Sequence, residues 1–128
     1  MKYFVSGSIA DKSRIQDIYR KIKDAGHSIV HDWTLTDDMD DKLKSRDEAG
    51  ERIEKDIDGV LEADIYVIDT DNERPGKAMY AELGAALASY KLVGKPIVYT
   101  IGPLNHLSVA YLHPDVTHKD TIEEILNS

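Results

Sequence analysis

The sequence contains no cysteine, and this absence excludes several kinds of site at once. Without a thiol, the 128-residue chain forms no disulfide framework, no thiolate zinc site and no cysteine nucleophile. It also has no apolar run of membrane-spanning length. The first residues, MKYFVSGS, show a strand pattern rather than a signal peptide. We therefore expect a cytoplasmic protein without a membrane partner.

Positive charge is scarce as well. Lys and Arg number 16 against 24 Asp and Glu, which gives a formal net charge of −8. This balance argues against a nucleic-acid partner, because a nucleic-acid backbone attracts basic surfaces. A small phosphorylated ligand stays compatible with it, since a few local donors suffice. The glycine spacing of a Walker loop or a GxGxxG motif is absent.

Patterns typical of metal sites are missing too. The acidic run at 37–41 lacks the spacing, the glycine and the terminal glutamate of an EF-hand loop. The five histidines form no HExxH pair, and we interpret them as surface or loop residues. We expect neither a metal nor an organic cofactor.

What the sequence does contain is an alternation of strands and helices. Short runs rich in β-branched residues, typical of buried parallel strands, alternate with segments of helical apolar spacing. The pattern predicts one α/β domain over residues 1–128, with a Rossmann-like (flavodoxin-like) fold. We expect a five-stranded, mainly parallel sheet in the order 2-1-3-4-5, with helices on both faces and Ile65–Ile68 at its centre. The polar stretch 36–48 is predicted to be a mobile loop that leads into the second helix.

Glu82 is the most informative residue of the third helical segment. At about 100° per residue it lies on the same stripe as Met79 and Ala86, so it points inward. Burying an unpaired carboxylate is expensive. Either Glu82 has a structural partner, such as a buried arginine or a neighbouring loop, or it is a reactive group near the carboxyl end of a strand.

Asp56 repeats this anomaly on the second helix. It lies between Ile53, Ile57 and Val60, inside another apolar stripe. Two inward carboxylates suit glycosidic-bond chemistry, in which one group attacks or stabilises the sugar and the other handles protons. The alternative is that Asp56 binds a backbone amide or a basic side chain at the sheet edge.

Further candidates follow from the rule that parallel sheets bind ligands beyond the carboxyl ends of their strands. Small residues in the connecting loops let a backbone approach a ligand. Trp33 either stacks on a planar ring or packs in the core. The candidate substrate-binding residues at this edge are Ser6, Gly7, Ser8, Trp33, Asp69 and Gly76.

Several motifs together carry a family resemblance. They are YFVSGSI at the first strand, Asp56 seven residues before Ala63, the strand IYVID, and Ala81-Glu82-Leu83-Gly84 followed by an alanine-rich helix and GKPIV. In these residues, and over most of its length, the chain resembles the nucleoside 2-deoxyribosyltransferase family. That family includes the 2′-deoxynucleoside 5′-phosphate N-hydrolases.

The resemblance implies roles for the two carboxylates. It places the nucleophile that attacks the anomeric carbon on Glu82, and the positioning of nucleophile and sugar on Asp56. It also implies that the first-strand loop, here Gly7, Ser8 and Lys12, contacts the substrate.

Departures from the family pattern affect phosphate and base recognition. Family members often carry Asp or Ser six residues before the nucleophile, where this chain has Gly76. The N-hydrolases usually have arginine in the loop after the first strand, where this chain has Ile9-Ala10-Asp11-Lys12. Because a neighbouring subunit commonly completes the family's sites, we expect a homodimer or higher homo-oligomer, with Asn105 or Ser108 as donors.

Two functions stay open at this point. The first is an enzyme that transfers the 2-deoxyribosyl group of a nucleoside or nucleotide to another base or to water through a glycosyl-Glu82 intermediate. The second is a non-catalytic nucleotide-binding or sensory module that uses the same crevice, with Glu82 as a ligand of the ribose hydroxyls.

Overall fold

A computed structural model gives the structure of the protein and describes residues 1–35 and 46–128. Its strands and helices alternate along the chain. They are β1 Lys2–Ser6, α1 Lys12–Asp24, β2 Ser28–Ile29, α2 Arg46–Glu62, β3 Ile65–Asp69, α3 Lys77–Val93, β4 Ile97–Ile101, β5 Val116–Lys119 and α4 Ile122–Leu126. Short 3₁₀ turns lie in the connections at Ile9–Asp11, Trp33–Leu35 and Val109–Leu112.

The strands form one parallel sheet in the order β2-β1-β3-β4-β5. The apolar strand β3 lies at its centre, and all five of its residues are buried. The register pairs Ser6 with Ile68 and Asp69 with Ile101, so the carboxyl ends of β1, β3 and β4 meet at one edge. The predicted fold class and strand order are confirmed.

Helices cover both faces of the sheet, and the alternation of side chains along each strand decides which helix each residue meets. Tyr3 and Val5 point to the face that packs against α1 and α4. Phe4 and Tyr66 point to the opposite face, where they stack on each other and pack against α2 and α3. Ser6 follows the same alternation, so its hydroxyl points towards α3.

The second strand and the second helix differ from the predicted boundaries. β2 ends at Ile29 rather than at position 31, as a short strand at the edge of the sheet. Residues 46–48 of the predicted loop belong to the first turn of α2, where Asp47 and Glu48 suit the positive end of the helix dipole. The rest of that predicted loop, 36–45, lies outside the described residues.

The buried face of α2 is narrower than its apolar pattern suggests. Gly59 and Val60 are the buried residues of this helix. Ile53, predicted to share that face, is 36% exposed. Ile53 instead lines a cleft beside Asp56. The first half of the helix thus borders this cleft, through Ala49, Arg52, Ile53 and Asp56.

Candidate active site

A cleft of about 850 Å³ lies beyond the carboxyl edge of the sheet. Its walls come from the loop after β1, from α2, and from the loop that leads into α3. The volume is in the range of small-molecule sites. It is lined by seven of the residues predicted from the sequence, namely Gly7, Ser8, Lys12, Trp33, Asp56, Gly76 and Glu82.

A chain of two hydrogen-bonded hydroxyl groups holds Glu82 in this cleft. Its side chain belongs to α3, and the residue is only 5% exposed. The Ser6 hydroxyl donates a hydrogen bond of 2.5 Å to Glu82 Oε1. The Tyr66 hydroxyl in turn donates to Ser6 Oγ at 2.7 Å. Because Ser6 and Tyr66 are themselves buried in neighbouring strands, one carboxyl oxygen of Glu82 is fixed relative to the sheet.

The inward direction of Glu82 follows from its position along α3. The buried residues of this helix, Met79, Leu83 and Ala86, lie three residues before, one after and four after Glu82. Residues spaced by three or four share a helix face. Glu82 is therefore buried because the apolar stripe around it packs on the sheet.

Asp56 supplies the second carboxyl group from α2. It is within hydrogen-bonding reach of Glu82. Its Oδ1 also lies 3.1 Å from His31 Nε2, and Arg52, one turn earlier on α2, adds positive charge nearby. The packing of α2 on α3 thus brings together two carboxyl groups that are remote in sequence.

Burial changes the acidity of both carboxyl groups. It raises the pKa of Glu82 to about 8; the hydrogen bond from Ser6 opposes this rise and the neighbouring Asp56 adds to it. Burial likewise raises the pKa of Asp56, against the lowering effects of His31, Glu82 and Arg52. Two carboxyl groups that share a site in this way do not both ionise readily. The pair therefore retains a proton near neutral pH.

No sequence pattern marked His31 as part of the site; it is a loop residue, as expected, but a partly buried one. It lies just past β2, against Asp56. Gly59 makes room for it, since a Cβ atom at that position would lie 3.1 Å from His31 Cβ and 3.1 Å from the ring of Phe4. The sequence features that could have indicated this contact are a polar residue at the end of a strand, His31, and a glycine about one turn after Asp56, Gly59.

Trp33 packs in the core, which was one of the two interpretations; its stacking on a planar ring stays a prediction. Its indole Nε1 donates a hydrogen bond of 2.7 Å to the carbonyl of Val5, and the ring packs against the core on both sides of the sheet. The residue also lines the cleft. One edge of the ring is thus anchored while the side chain stays next to the space that a ligand would occupy.

The remaining predicted residues do not line the cleft. Ser6 is connected to the cleft through the hydrogen bond that it donates to Glu82. Asp69 is buried and forms an ion pair with the partly exposed Arg14 at 2.5 Å. Asn105 lines a smaller neighbouring cavity. Ser108 caps a 3₁₀ turn with its side chain. A contact of these residues with substrate stays a prediction.

Residues 1–35 and 46–128 show neither a metal-binding cluster nor a membrane-spanning helix. In these ranges, no three His, Asp or Glu side chains gather in a group that could hold a metal ion. The helices of the same ranges are all too short or too polar to cross a membrane.

Comparison with known proteins identifies the family. The sequence profile of nucleoside 2-deoxyribosyltransferase matches residues 4–101, more than half of the chain. The chain belongs to the nucleoside 2-deoxyribosyltransferase family. The resemblance expected from the motifs is thereby confirmed, although no curated protein matches the chain in sequence.

Two solved structures share the fold of this family member. The CMP N-glycosidase BcmB of Clostridium botulinum is 16% identical, with 99% of this chain and 96% of that chain covered and a TM-score of 0.63. A 2-deoxyribosyltransferase from the psychrotolerant bacterium Bacillus psychrosaccharolyticus is 17% identical, with 100% and 92% covered and a TM-score of 0.67. At these identities the likeness concerns the fold.

Replacing Glu82 with Gln should make stability less dependent on pH. The raised pKa means that the folded protein holds a proton that the unfolded chain releases near pH 4.5. Wild-type stability should therefore fall as the pH rises from about 4.5 to about 8, by at most about 1.4 kcal/mol per pH unit for one proton. Gln does not ionise, so Glu82→Gln should gain stability relative to wild type across this window.

Urea unfolding at several pH values within the window measures this difference. Glu54→Gln, which changes an exposed carboxylate on α2, is the matched control and should follow the wild-type curve. Parallel curves for wild type and Glu82→Gln would show that Glu82 does not hold the proton.

Proposed function

We propose that this protein cleaves the N-glycosidic bond of nucleosides or nucleotides and transfers the 2-deoxyribosyl group to another base or to water. One observation carries the proposal: Glu82 is buried beside Asp56, fixed by Ser6, and still faces a cleft of ligand size. Family membership supports an enzyme of this kind. The two structural neighbours, a CMP N-glycosidase and a 2-deoxyribosyltransferase, fit the same chemistry.

Glu82 is the proposed nucleophile. Its free carboxylate oxygen attacks C1′ of the sugar, so that a C1′–O bond forms while the C1′–N bond breaks. The base leaves with the bonding electron pair and takes up a proton. In the second step, water or another base attacks C1′ and the bond to Glu82 breaks; the attacking group loses a proton. Two such displacements restore the original configuration at C1′.

Asp56 lies beside the nucleophile rather than across the scissile bond. In retaining glycosidases two carboxyl groups about 5 Å apart flank the reacting bond. Here the two groups are within hydrogen-bonding reach of each other, which leaves no room for a sugar between them. Glu82 attacks only as a carboxylate, so the proton that the pair retains near neutral pH must leave Glu82 before the attack. We assign Asp56 the positioning of Glu82 and of the sugar.

Glu82→Gln should lower kcat by several orders of magnitude, within the range seen when catalytic groups are removed. Gln keeps the shape of the side chain and accepts the hydrogen bond from Ser6, so folding should persist, but it is a far poorer nucleophile. The measurement is release of free base from a panel of deoxynucleosides and their 5′-monophosphates, with and without an acceptor base. Glu54→Gln should retain wild-type turnover.

A covalent trap tests the same assignment directly. Wild type incubated with a 2-fluoro-2-deoxynucleoside should carry a glycosyl group on the peptide that contains Glu82, detected by mass spectrometry. Turnover by Glu82→Gln at a near wild-type rate would remove Glu82 as nucleophile. If wild type releases no base from any member of the panel, a nucleotide-binding or sensory module becomes the better description.

Asp56→Asn should slow turnover less than Glu82→Gln does, because the proposed role of Asp56 is positioning. The change also removes a negative neighbour that raises the pKa of Glu82. The acid limb of the kcat profile should therefore move to lower pH. Rate measurements across the pH range, compared with wild type, test both effects. An unshifted limb would mean that Asp56 does not set the charge of Glu82.

We also propose that the protein is a homodimer or larger. The loop after β4 carries Asn105 and Ser108, the candidate donors to a neighbouring subunit. The same region exposes Leu107, Val109 and Leu112. Exposed apolar side chains gathered in one segment are typical of interaction surfaces, and family members commonly complete their sites across subunits.

Val109→Asp should shift the assembly towards a monomer and lower activity, since it places a charge in the proposed interface. Light scattering at micromolar concentration gives the mass, and base release gives the activity. Leu92→Asp, at the exposed carboxyl end of α3, is the control and should change neither. A fully active wild-type monomer would contradict the proposal.

A further inference from the structure

The cleft that holds Glu82 is lined by basic side chains, although the chain as a whole is acidic with a formal net charge of −8. Among the described residues that line it, the acidic ones are Asp56 and Glu82, which together retain a proton near neutral pH. The described part of the lining therefore carries net positive charge. The basic residues that line it are Lys12, Arg52, Arg74 and Lys77.

These four residues come from separate parts of the fold. Lys12 begins α1, Arg52 lies on α2, Arg74 belongs to the loop after β3, and Lys77 begins α3. The parallel sheet brings these four residues to one edge, so no local sequence motif predicts that they lie together. Their convergence in an acidic chain indicates a ligand that carries negative charge.

Arg74 and Lys77 are the members of this set placed to meet a ligand. Both side chains are exposed, and within the described ranges neither forms an ion pair. Arg52, by contrast, already acts on the charge of Asp56. Arg74 and Lys77 are separated in sequence by Pro75 and Gly76 alone, so they approach the ligand from one side of the cleft.

The backbone around Arg74 is fixed against the loop after β1. The hydroxyl of Ser8, which is buried, donates a hydrogen bond of 2.8 Å to the carbonyl of Arg74. The same hydroxyl accepts a bond from the backbone N–H of Ala10. At Gly7 a Cβ atom would lie 2.5 Å from Ile15 Cδ1, so this loop passes close to α1 without a side chain. Arg74 thus projects from an anchored point.

We propose that this cleft selects nucleosides that carry a 5′-phosphate, and that Arg74 and Lys77 bind that phosphate. The inference rests on the proposed function, because Glu82 must meet C1′ of the same sugar. The 5′-phosphate is attached to that sugar only a few bonds from C1′, so one cleft can accommodate both contacts. Arginine and lysine form strong, charge-assisted bonds to phosphate oxygens. An uncharged nucleoside gains nothing from them.

This arrangement also explains how the chain could bind phosphate although its loop after β1 has no arginine. The basic groups that would recognise phosphate there are supplied instead by the loop after β3 and the start of α3. The specificity for phosphate is thereby placed on the same helix as the nucleophile, since Lys77 and Glu82 both belong to α3.

The test compares a deoxynucleoside 5′-monophosphate with the same deoxynucleoside. Hydrogen bonds to charged groups contribute about 1.5–3 kcal/mol, which corresponds to roughly 10- to 100-fold in affinity. Wild type should therefore show a kcat/KM at least about tenfold higher for the monophosphate. The double variant Arg74→Ala/Lys77→Ala should lose this preference, mainly through a higher KM for the monophosphate.

The matched control is Arg20→Ala/Lys23→Ala, which removes the same two residue types from the exposed carboxyl-terminal half of α1. It should retain the full preference for phosphate, and circular dichroism should show both double variants folded. An unchanged preference in Arg74→Ala/Lys77→Ala would overturn the assignment of these two residues.

The outcomes separate this inference from the proposed function. If wild type releases base equally well from nucleoside and monophosphate, the phosphate inference fails and the proposed function stands. If it releases base from neither, the proposed function fails. Calorimetric binding of the two compounds then decides the phosphate inference: tighter binding of the monophosphate supports it, and equal binding overturns it.

Discussion

The hydrogen bond from Ser6 to Glu82 connects the sheet to the helix that carries the buried carboxyl group. Its geometry depends on the parallel register of β1 and β3, which places the Tyr66 hydroxyl behind Ser6. It also depends on the apolar stripe of α3, which presses Glu82 against the sheet. The position of one carboxyl oxygen is therefore a consequence of the packing of the whole α/β core.

Keeping two carboxyl groups out of water costs free energy, and the fold limits this cost in specific ways. A proton shared by Asp56 and Glu82 removes one of the two charges. The remaining charge is met by the hydroxyl of Ser6 on one side and by His31 and Arg52 on the other. A residual cost stays, as the raised pKa values of both groups indicate. Functional sites commonly retain such a cost because the reaction uses it.

The sequence allowed the prediction of most features that follow from periodicity, although the buried face of α2 is narrower than its apolar pattern suggests. The alternation of apolar runs was sufficient for the fold and the strand order, and helical phase was sufficient to place Asp56 and Glu82 inward. Contacts that only the tertiary fold creates could not be predicted from the sequence. The pairing of His31 with Asp56 depends on where a short edge strand ends and on the space left by Gly59. The convergence of Arg74 with the carboxyl pair likewise depends on the shape of a loop.

The raised pKa of Glu82 connects stability to the proposed chemistry. A buried carboxylate is unstable until a positive charge lies next to it. In the free protein that charge is the proton shared with Asp56. In the transition state of the proposed glycosidic cleavage it would be the sugar, which becomes oxocarbenium-like at C1′. The proton and the positively charged sugar thus compete for the carboxylate of Glu82. Because the surroundings of Glu82 are fixed before the substrate arrives, stabilisation of the developing charge requires little reorganisation, and this is the condition under which electrostatic catalysis is strongest.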